Sequence, residues 1–209
     1  MSNVYSFSGF AKVLIENKIP FSIRDFLDDK KVDELIQLVI DKQCNEDTYI
    51  GAGVERSCFI PREGSYAIKV DKSYYTNYYD EGARYEYEAY TYDNHLICYD
   101  GGWVIDSLEN ITKFDICCEQ NVNEIHNYNA IIQNHKHLRE FIPQMIAVSS
   151  NYCVEIMERC SYCHSSPYYS HYARFNYIDD NFSDAHEDNL GLNRFGKLVI
   201  LDLGLGGIY

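Results

Sequence analysis

The residues with the clearest chemical potential form two short motifs near the C-terminal end of the chain. Residues 184–191 have the form D-x-H-x-x-N-x-G and residues 202–204 have the form D-x-G, with an apolar strand between them. Asp184 and Asn189 are five positions apart, and Asn189 and Asp202 are thirteen apart. In phosphoryl transfer, one carboxylate meets the attacking hydroxyl while an amide oxygen and a second carboxylate hold Mg²⁺. The spacing therefore indicates three oxygen donors that converge on one site.

The two motifs together resemble those of the protein-kinase-like superfamily. The histidine two places after Asp184 is similar to the catalytic loop of the aminoglycoside and choline phosphotransferase branch and of related small bacterial and phage kinase-like proteins. The resemblance implies that Asp184 is the catalytic aspartate and that Asn189 and Asp202 are metal ligands, with His186 supporting the loop. It also implies ATP and Mg²⁺ as cofactors.

Residues upstream fall in the order that this family requires. Gly51 and Gly53 resemble the glycine-rich turn whose backbone amides close over phosphates, and Ala67-Ile68-Lys69 resembles the V-A-I-K strand. By this resemblance Lys69 would hold the α and β phosphates. Its expected partner is a glutamate on the next helix.

Glu124 is our choice for that partner, because it lies 33 residues before Met157, the expected end of the hinge-forming strand. Glu86 and Glu88 are the alternative. They are closer to Lys69 in sequence, but they would leave the long stretch to the next strand unexplained.

The hinge itself is expected at residues 154–159. By the same resemblance an adenine ring would rest on this strand at Met157, and backbone groups of Glu158 and Arg159 would contact the edge of the ring. The three residues complete the expected nucleotide-binding set.

The chain departs from the family pattern at three places. Arg56 stands where the third glycine of G-x-G-x-x-G would fall, and Ser183 stands where an arginine commonly precedes the catalytic aspartate. Seven residues follow Asp202. We therefore expect a C-terminal lobe without the usual docking platform for peptides, and no regulation through a phosphorylated activation loop.

Apolar periodicity predicts the elements that position these motifs. Val32, Leu35, Ile36, Val39 and Ile40 follow a helical spacing, which predicts a helix within 22–43 capped by Asp28 or Asp29. Residues 48–70 contain short apolar runs broken by turn residues, which predicts two or three antiparallel strands. Residues 119–133 are predicted to form a helix. Buried strands are expected in 143–150, 152–160 and 196–204. A helix is also expected at 80–93, and a hairpin around Gly101 and Gly102.

These elements predict an α+β chain with a two-lobed, protein-kinase-like fold. An N-terminal helical segment would cover 1–47, and an N-lobe with an antiparallel sheet would cover 48–159, interrupted by an insertion at about 71–118. A strongly reduced C-lobe with the catalytic and metal-binding loops would cover 160–209.

The composition of the chain limits the classes of partner that it is expected to bind. The chain has 18 Lys and Arg residues against 32 Asp and Glu, for a net charge of −14, which disfavours binding to nucleic acid. No apolar run approaches the length of a membrane span, and the first twenty residues lack the pattern of an export signal. We expect a cytoplasmic protein that binds a nucleotide and an unidentified acceptor, with proteins among the candidates.

Other interpretations remain open from the residues alone. The main rival is a pseudokinase-type binding protein that acts through protein–protein interaction, and a further one is nucleotidyl instead of phosphoryl transfer. Cys160 and Cys163 could join Cys117 and Cys118 in a four-thiolate zinc site. The same stretch has the form C-x-x-C-H of haem c attachment, but such attachment belongs to exported proteins, so this assignment is disfavoured.

Overall fold

The computed structural model of the chain describes residues 3–52, 56–71, 89–92, 95–98, 119–163 and 171–204. Within these ranges it contains helices α1 (Phe7–Glu16), α2 (Asp29–Gln43), α3 (Glu119–Gln133) and α4 (Tyr172–Asn181), and short 3₁₀ segments at Ile23–Leu27, Lys136–Phe141 and Glu187–Asn189. None of the helices described is long and apolar enough to cross a membrane.

The strands follow in chain order as β1 (Tyr49–Ala52), β2 (Arg56–Phe59), β3 (Tyr66–Asp71), β4 (Ala89–Tyr92), β5 (His95–Cys98), β6 (Met145–Val148), β7 (Val154–Glu158), β8 (Ser161–Tyr162), β9 (Leu190–Leu192) and β10 (Leu198–Ile200). Five of them form an antiparallel sheet in the order β1-β2-β3-β7-β6. A small antiparallel sheet has the order β10-β9-β8, and β4 pairs with β5. The chain is therefore α+β, as its sequence predicts.

Strand β3 shows how the large sheet separates a core from a site. Successive side chains of a strand point to opposite faces. Tyr66, Ile68 and Val70 belong to the apolar cluster that includes the buried residues of α1 and α2. Ala67 and Lys69 lie on the other face, where Ala67 joins the cluster built on α3 and the C-terminal elements. Lys69 is thus held on the face towards α3.

Helix α2 confirms the periodicity argument. Its five apolar positions from Val32 to Ile40 are all buried, and the carboxylate of Asp28 accepts hydrogen bonds from the backbone amides of Lys30 and Lys31. Of the two capping candidates, the cap is therefore Asp28. A side-chain cap of this kind satisfies amides that the first helical turn leaves without a partner.

The strands expected at 48–70 and after residue 143 are confirmed, as is α3, with the predicted bounds of 119–133. The helix expected at 80–93 is wrong where it can be checked, because residues 89–92 form strand β4. Alternation of Tyr90 and Tyr92 with small residues suits a strand at least as well as a helix. The rest of that expectation, and the hairpin near Gly101, lie outside the described residues.

Candidate functional site

The site is built around an ion pair between β3 and α3. The ammonium of Lys69 lies 2.8 Å from each carboxylate oxygen of Glu124, whose side chain is only 1% exposed. The same ammonium donates to the backbone carbonyl of Leu201 at 2.7 Å. The contact chosen from the sequence is therefore present. The alternative partners, Glu86 and Glu88, lie outside the described residues.

A buried arginine, Arg56, joins this pair to the C-terminal segment. Its guanidinium donates to the carboxylates of Glu124 and Asp202, and lies 3.4 Å from the side-chain oxygen of Asn121 and 3.8 Å from Glu155. Sequence reasoning treated Arg56 only as a missing glycine. The pairing of Arg56 with Asp71 puts it on the same face as Lys69, and this register is not visible in the sequence, since a shift of one residue would reverse the face.

The carboxylate of Asp202 is held from two directions. One oxygen accepts from the backbone amide of Gly204 at 2.7 Å, and the other accepts from the side-chain amide of Gln120 at 2.8 Å and from Arg56. Burial by itself would raise the pKa of Asp202, but the nearby Lys69 and Arg56 outweigh it and leave that pKa below its usual value. Asp202 is thus a stabilised anion at neutral pH.

Gly204 allows the backbone after Asp202 to pass close to Gln120. A Cβ at this position would lie 2.6 Å from the backbone oxygen of Gln120, which is too close for any other residue to fit without a shift. The D-x-G motif therefore has a packing reason as well as a chemical one.

The D-x-H-x-x-N loop lies against the same segment. The side-chain amide of Asn189 donates to the backbone oxygen of Asp184 at 3.0 Å, to its carboxylate at 3.3 Å, and to the backbone oxygen of Asp202 at 3.1 Å. His186 is half exposed, and its Nε2 lies 3.5 Å from the carboxylate of Asp184. Asp184, Asn189 and Asp202, which the sequence predicts to converge, are therefore neighbours.

The β9–β10 hairpin explains the interval of thirteen residues. Leu190 pairs with Ile200, and the amide of Leu201 donates to the oxygen of Asn189 at 2.8 Å. An antiparallel pair joined by a short turn returns the chain to its starting point. Asn189 and Asp202 must therefore meet at the open end of this hairpin.

Glu155 is the most unusual residue of the site. It is fully buried on β7, opposite Lys69 in the strand register, and neither carboxylate oxygen has a hydrogen-bond partner among the described residues. Burial, and then the charge of Glu124, raise its pKa well above the usual value. Sequence reasoning missed it, although a glutamate inside an apolar strand was a visible signal.

The expected hinge residues follow directly on this strand. Met157 is buried, the amide of Glu158 donates to the oxygen of Gln144 at 2.8 Å, and the amide of Arg159 donates to the oxygen of Ser65 at 3.1 Å. These two amides already have protein partners. In this conformation an adenine edge would have to use other backbone groups of the segment.

The glycine turn is described only in part. Gly51 lies in β1 with a φ of +152°, and a side chain added there would meet nothing within 4 Å. Gly53 lies outside the described residues. The proposed closure over phosphates thus rests on its sequence alone.

The donor set does not fit Mg²⁺ in this arrangement. Asn189 turns its amide nitrogen, not its oxygen, towards Asp202, and Asp202 already accepts from three donors, one of them the guanidinium of Arg56. Magnesium requires oxygen ligands in near-octahedral geometry. Among the described residues, moreover, no group of three or more His, Cys, Asp and Glu side chains is arranged to hold a metal.

The zinc alternative gains no support from the described cysteines. Burial raises the pKa of Cys160 to about 12, so its thiol form is favoured unless a cation lies beside it. Cys117 and Cys118 lie outside the described residues.

A polar cleft of about 480 Å³ also opens on the opposite face of the large sheet, beside Asn17, Gln43, Thr48 and Tyr66. Arg62 and Asp47 in its lining form an ion pair at 3.6 Å, but their side chains are 79% and 81% exposed, whereas the side chains of Lys69 and Glu124 are 12% and 1% exposed. Exposed pairs are screened by solvent, so the Lys69 face is the better candidate for the site.

Comparison of the chain with known protein families and with curated proteins finds no match to either. The assignment of a function therefore depends on the site itself.

Proposed function

We propose that this protein binds ATP and transfers its γ-phosphoryl group to a hydroxyl acceptor, within a two-lobed, protein-kinase-like fold. One observation carries the proposal. The Lys69–Glu124 pair and the Asp184–Asn189 loop both bind the same short backbone segment, Leu201–Asp202. Two motifs more than a hundred residues apart in sequence thus meet at one point.

The proposed roles follow from the positions of the groups. Lys69, fixed by a buried carboxylate, would hold the α and β phosphates, and Asp184, which is partly exposed, would orient or deprotonate the acceptor hydroxyl. Phosphoryl transfer demands mainly positioning and charge stabilisation from a protein. A cation held by a buried carboxylate and a loop carboxylate, both anchored at Leu201–Asp202, suit that demand.

The two-lobed arrangement is part of the proposal. The five-stranded sheet with α3 would form the N-lobe, and the small sheet with α4 would form a reduced C-lobe. Adenine would lie near Met157, where the chain passes from β7 to β8. The acceptor is unidentified, and the acidic composition argues against a nucleic acid.

Magnesium is the part of the sequence-based hypothesis that the contacts support least. Asn189 and Asp202 would have to hold it, yet Asp202 is engaged with Arg56. The proposed roles of Lys69 and Asp184 therefore do not depend on a bound metal.

The test uses two aspartates of one loop. Asp184→Asn should lower the rate of ATP-dependent phosphoryl transfer by about 100-fold or more, the usual contribution of a general base. Asp188→Asn is the matched control, because Asp188 is exposed in the same loop. Transfer would be followed with ATP labelled at the γ-phosphate against a panel of hydroxyl acceptors, and by ADP release. Equal rates in the two variants would refute the role of Asp184.

The second candidate is a pseudokinase-type binding protein that acts through protein–protein interaction. The contact of Arg56 with Asp202 favours it, because it occupies a carboxylate that a kinase-like enzyme would keep for metal. ATP binding without ADP release or acceptor modification would favour this candidate. Mass spectrometry of the products separates both from nucleotidyl transfer, since that reaction adds AMP in place of phosphate.

A further inference from the structure

We propose that Arg56 is a resident cation of this site, which stands in place of a divalent metal at Asp202, so that a nucleoside triphosphate binds to Arg56 and Lys69 without Mg²⁺. The inference rests on the proposed nucleotide binding and specifies the form of the ligand. The sequence predicts that Asn189 and Asp202 bind a metal, whereas in the structure both side chains are bound to other groups of the protein.

Arg56 is held firmly in the site. Its side chain is 6% exposed and forms ion pairs with Glu124 and Asp202 in the described structure. A guanidinium keeps its charge in proteins and presents several N–H donors in a fixed plane. Withdrawing it would leave Asp202 and Glu124 with one cation, Lys69, between them. The structure thus supplies Asp202 with a permanent cationic partner.

A divalent ion at Asp202 would compete with hydrogen bonds that the carboxylate already accepts. Both oxygens of Asp202 accept hydrogen bonds, from Gly204 on one side and from Gln120 and Arg56 on the other. An ion that bound there would also lie close to the positive charges of Arg56 and Lys69, which would repel it. Magnesium would have to displace Arg56 before it could use this carboxylate.

A ligand at this site would experience the charges of Arg56 and Lys69. Arg56 contacts the carboxylates of Glu124 and Asp202, and Lys69 contacts that of Glu124. Glu155 lies 3.8 Å from Arg56, and its burial raises its pKa well above the usual value, which disfavours a third negative charge beside the cations. A polyphosphate is the ligand class that two adjacent cations favour, and arginine binds phosphate in a bidentate geometry.

Arg56 and Lys69 lie on one face of the large sheet. Arg56 opens β2 and pairs with Asp71 of β3, two positions from Lys69. Side chains directly opposite each other on paired strands, and those two positions apart along one strand, point to the same face. Both cations therefore lie on the face where the proposed nucleotide binds.

The first experiment measures binding of the β,γ-imido analogue of ATP by calorimetry, in EDTA and in excess Mg²⁺. We expect dissociation constants within about threefold of each other. Binding that is roughly tenfold or more weaker in EDTA would overturn the inference and leave the proposed nucleotide binding intact. No binding in either buffer would overturn both proposals.

The second experiment uses variants that keep the shape of the site. Arg56→Met should weaken binding in EDTA by about tenfold or more, and Mg²⁺ should then restore it, because Asp202 is released. Arg56→Lys should retain metal-independent binding. Arg62→Met is the matched control, since the Arg62 side chain is 79% exposed, and it should bind as the unmodified protein does.

Asp202→Asn separates a metal ligand from a partner of Arg56. If Asp202 only neutralises Arg56, the variant should bind the analogue in EDTA at least as tightly as the unmodified protein, because the guanidinium gains freedom to meet phosphate. A loss of binding confined to Mg²⁺ buffer would show that Asp202 is a metal ligand, and would overturn the inference. Circular dichroism of each variant checks that the fold is retained.

Discussion

Replacing Glu124 by glutamine tests the ion-pair network at its centre. The carboxylate of Glu124 is 1% exposed and meets two cations, Lys69 at 2.8 Å from each oxygen and Arg56. Glutamine has nearly the same shape but no charge, so it leaves two buried cations with Asp202 as their one directly bonded carboxylate among the described residues. Removing one partner of a buried pair costs about 3–5 kcal/mol.

That cost is large against a typical free energy of unfolding of about 5–15 kcal/mol. It should appear as a lower urea midpoint with an unchanged slope, measured by circular dichroism. The matched control is Glu34→Gln, because Glu34 pairs with Lys31 on the surface, where both side chains are about half exposed. We expect little or no change there, since exposed pairs are screened by solvent.

Equal midpoint shifts for the two variants would refute the reasoning, because the central pair would then be no more important than a surface pair. A double variant, Arg56→Met with Glu124→Gln, gives an internal check. It should be less destabilised than the sum of its parts, since removal of both partners avoids an unpaired buried charge.

Three further predictions concern packing, titration and capping. Gly204→Ala should destabilise by about 1–3 kcal/mol in urea unfolding, because the added Cβ would lie 2.6 Å from the backbone oxygen of Gln120. Glu155→Gln should gain stability relative to the unmodified protein as the pH rises from about 4 to 8, since a raised folded-state pKa of the carboxyl makes folding increasingly costly above the unfolded-state pKa. A constant difference across that range would contradict the argument. Asp28→Ala should cost about 1 kcal/mol through loss of the α2 cap, measured by thermal unfolding, whereas Asp29→Ala should cost less.

Local patterns determined much of the fold. Helices α2 and α3 lie where apolar periodicity predicts them, because an amphipathic helix buries one face and the spacing of its apolar residues marks that face. Strands β3, β6, β7 and β10 lie at short apolar runs, and these strands are buried at nearly every position. Helix α1 was not predicted, although its buried Phe10, Val13 and Leu14 follow the same rule. The stretch is short, and its polar face begins with weak helix formers.

The contacts of the motifs could also be predicted in part. Asp184, Asn189 and Asp202 are joined by a short hairpin, so their neighbourhood follows from local geometry. The Lys69–Glu124 contact required a guess about which helix follows β3, since 55 positions separate the two residues. The choice of Glu124 relied on its position 33 residues before Met157, the expected end of the hinge-forming strand.

Tertiary structure alone decided the charge balance of the site. Arg56 and Asp202 are 146 positions apart, and no periodicity relates a β2 arginine to a residue beyond β10. Their meeting depends on how α3 packs between the large sheet and the hairpin. The sequence by itself therefore specified which groups could carry phosphoryl chemistry. Packing determined that a guanidinium neutralises the carboxylate expected to bind metal, because charges so far apart in the chain are brought together only by the folded core.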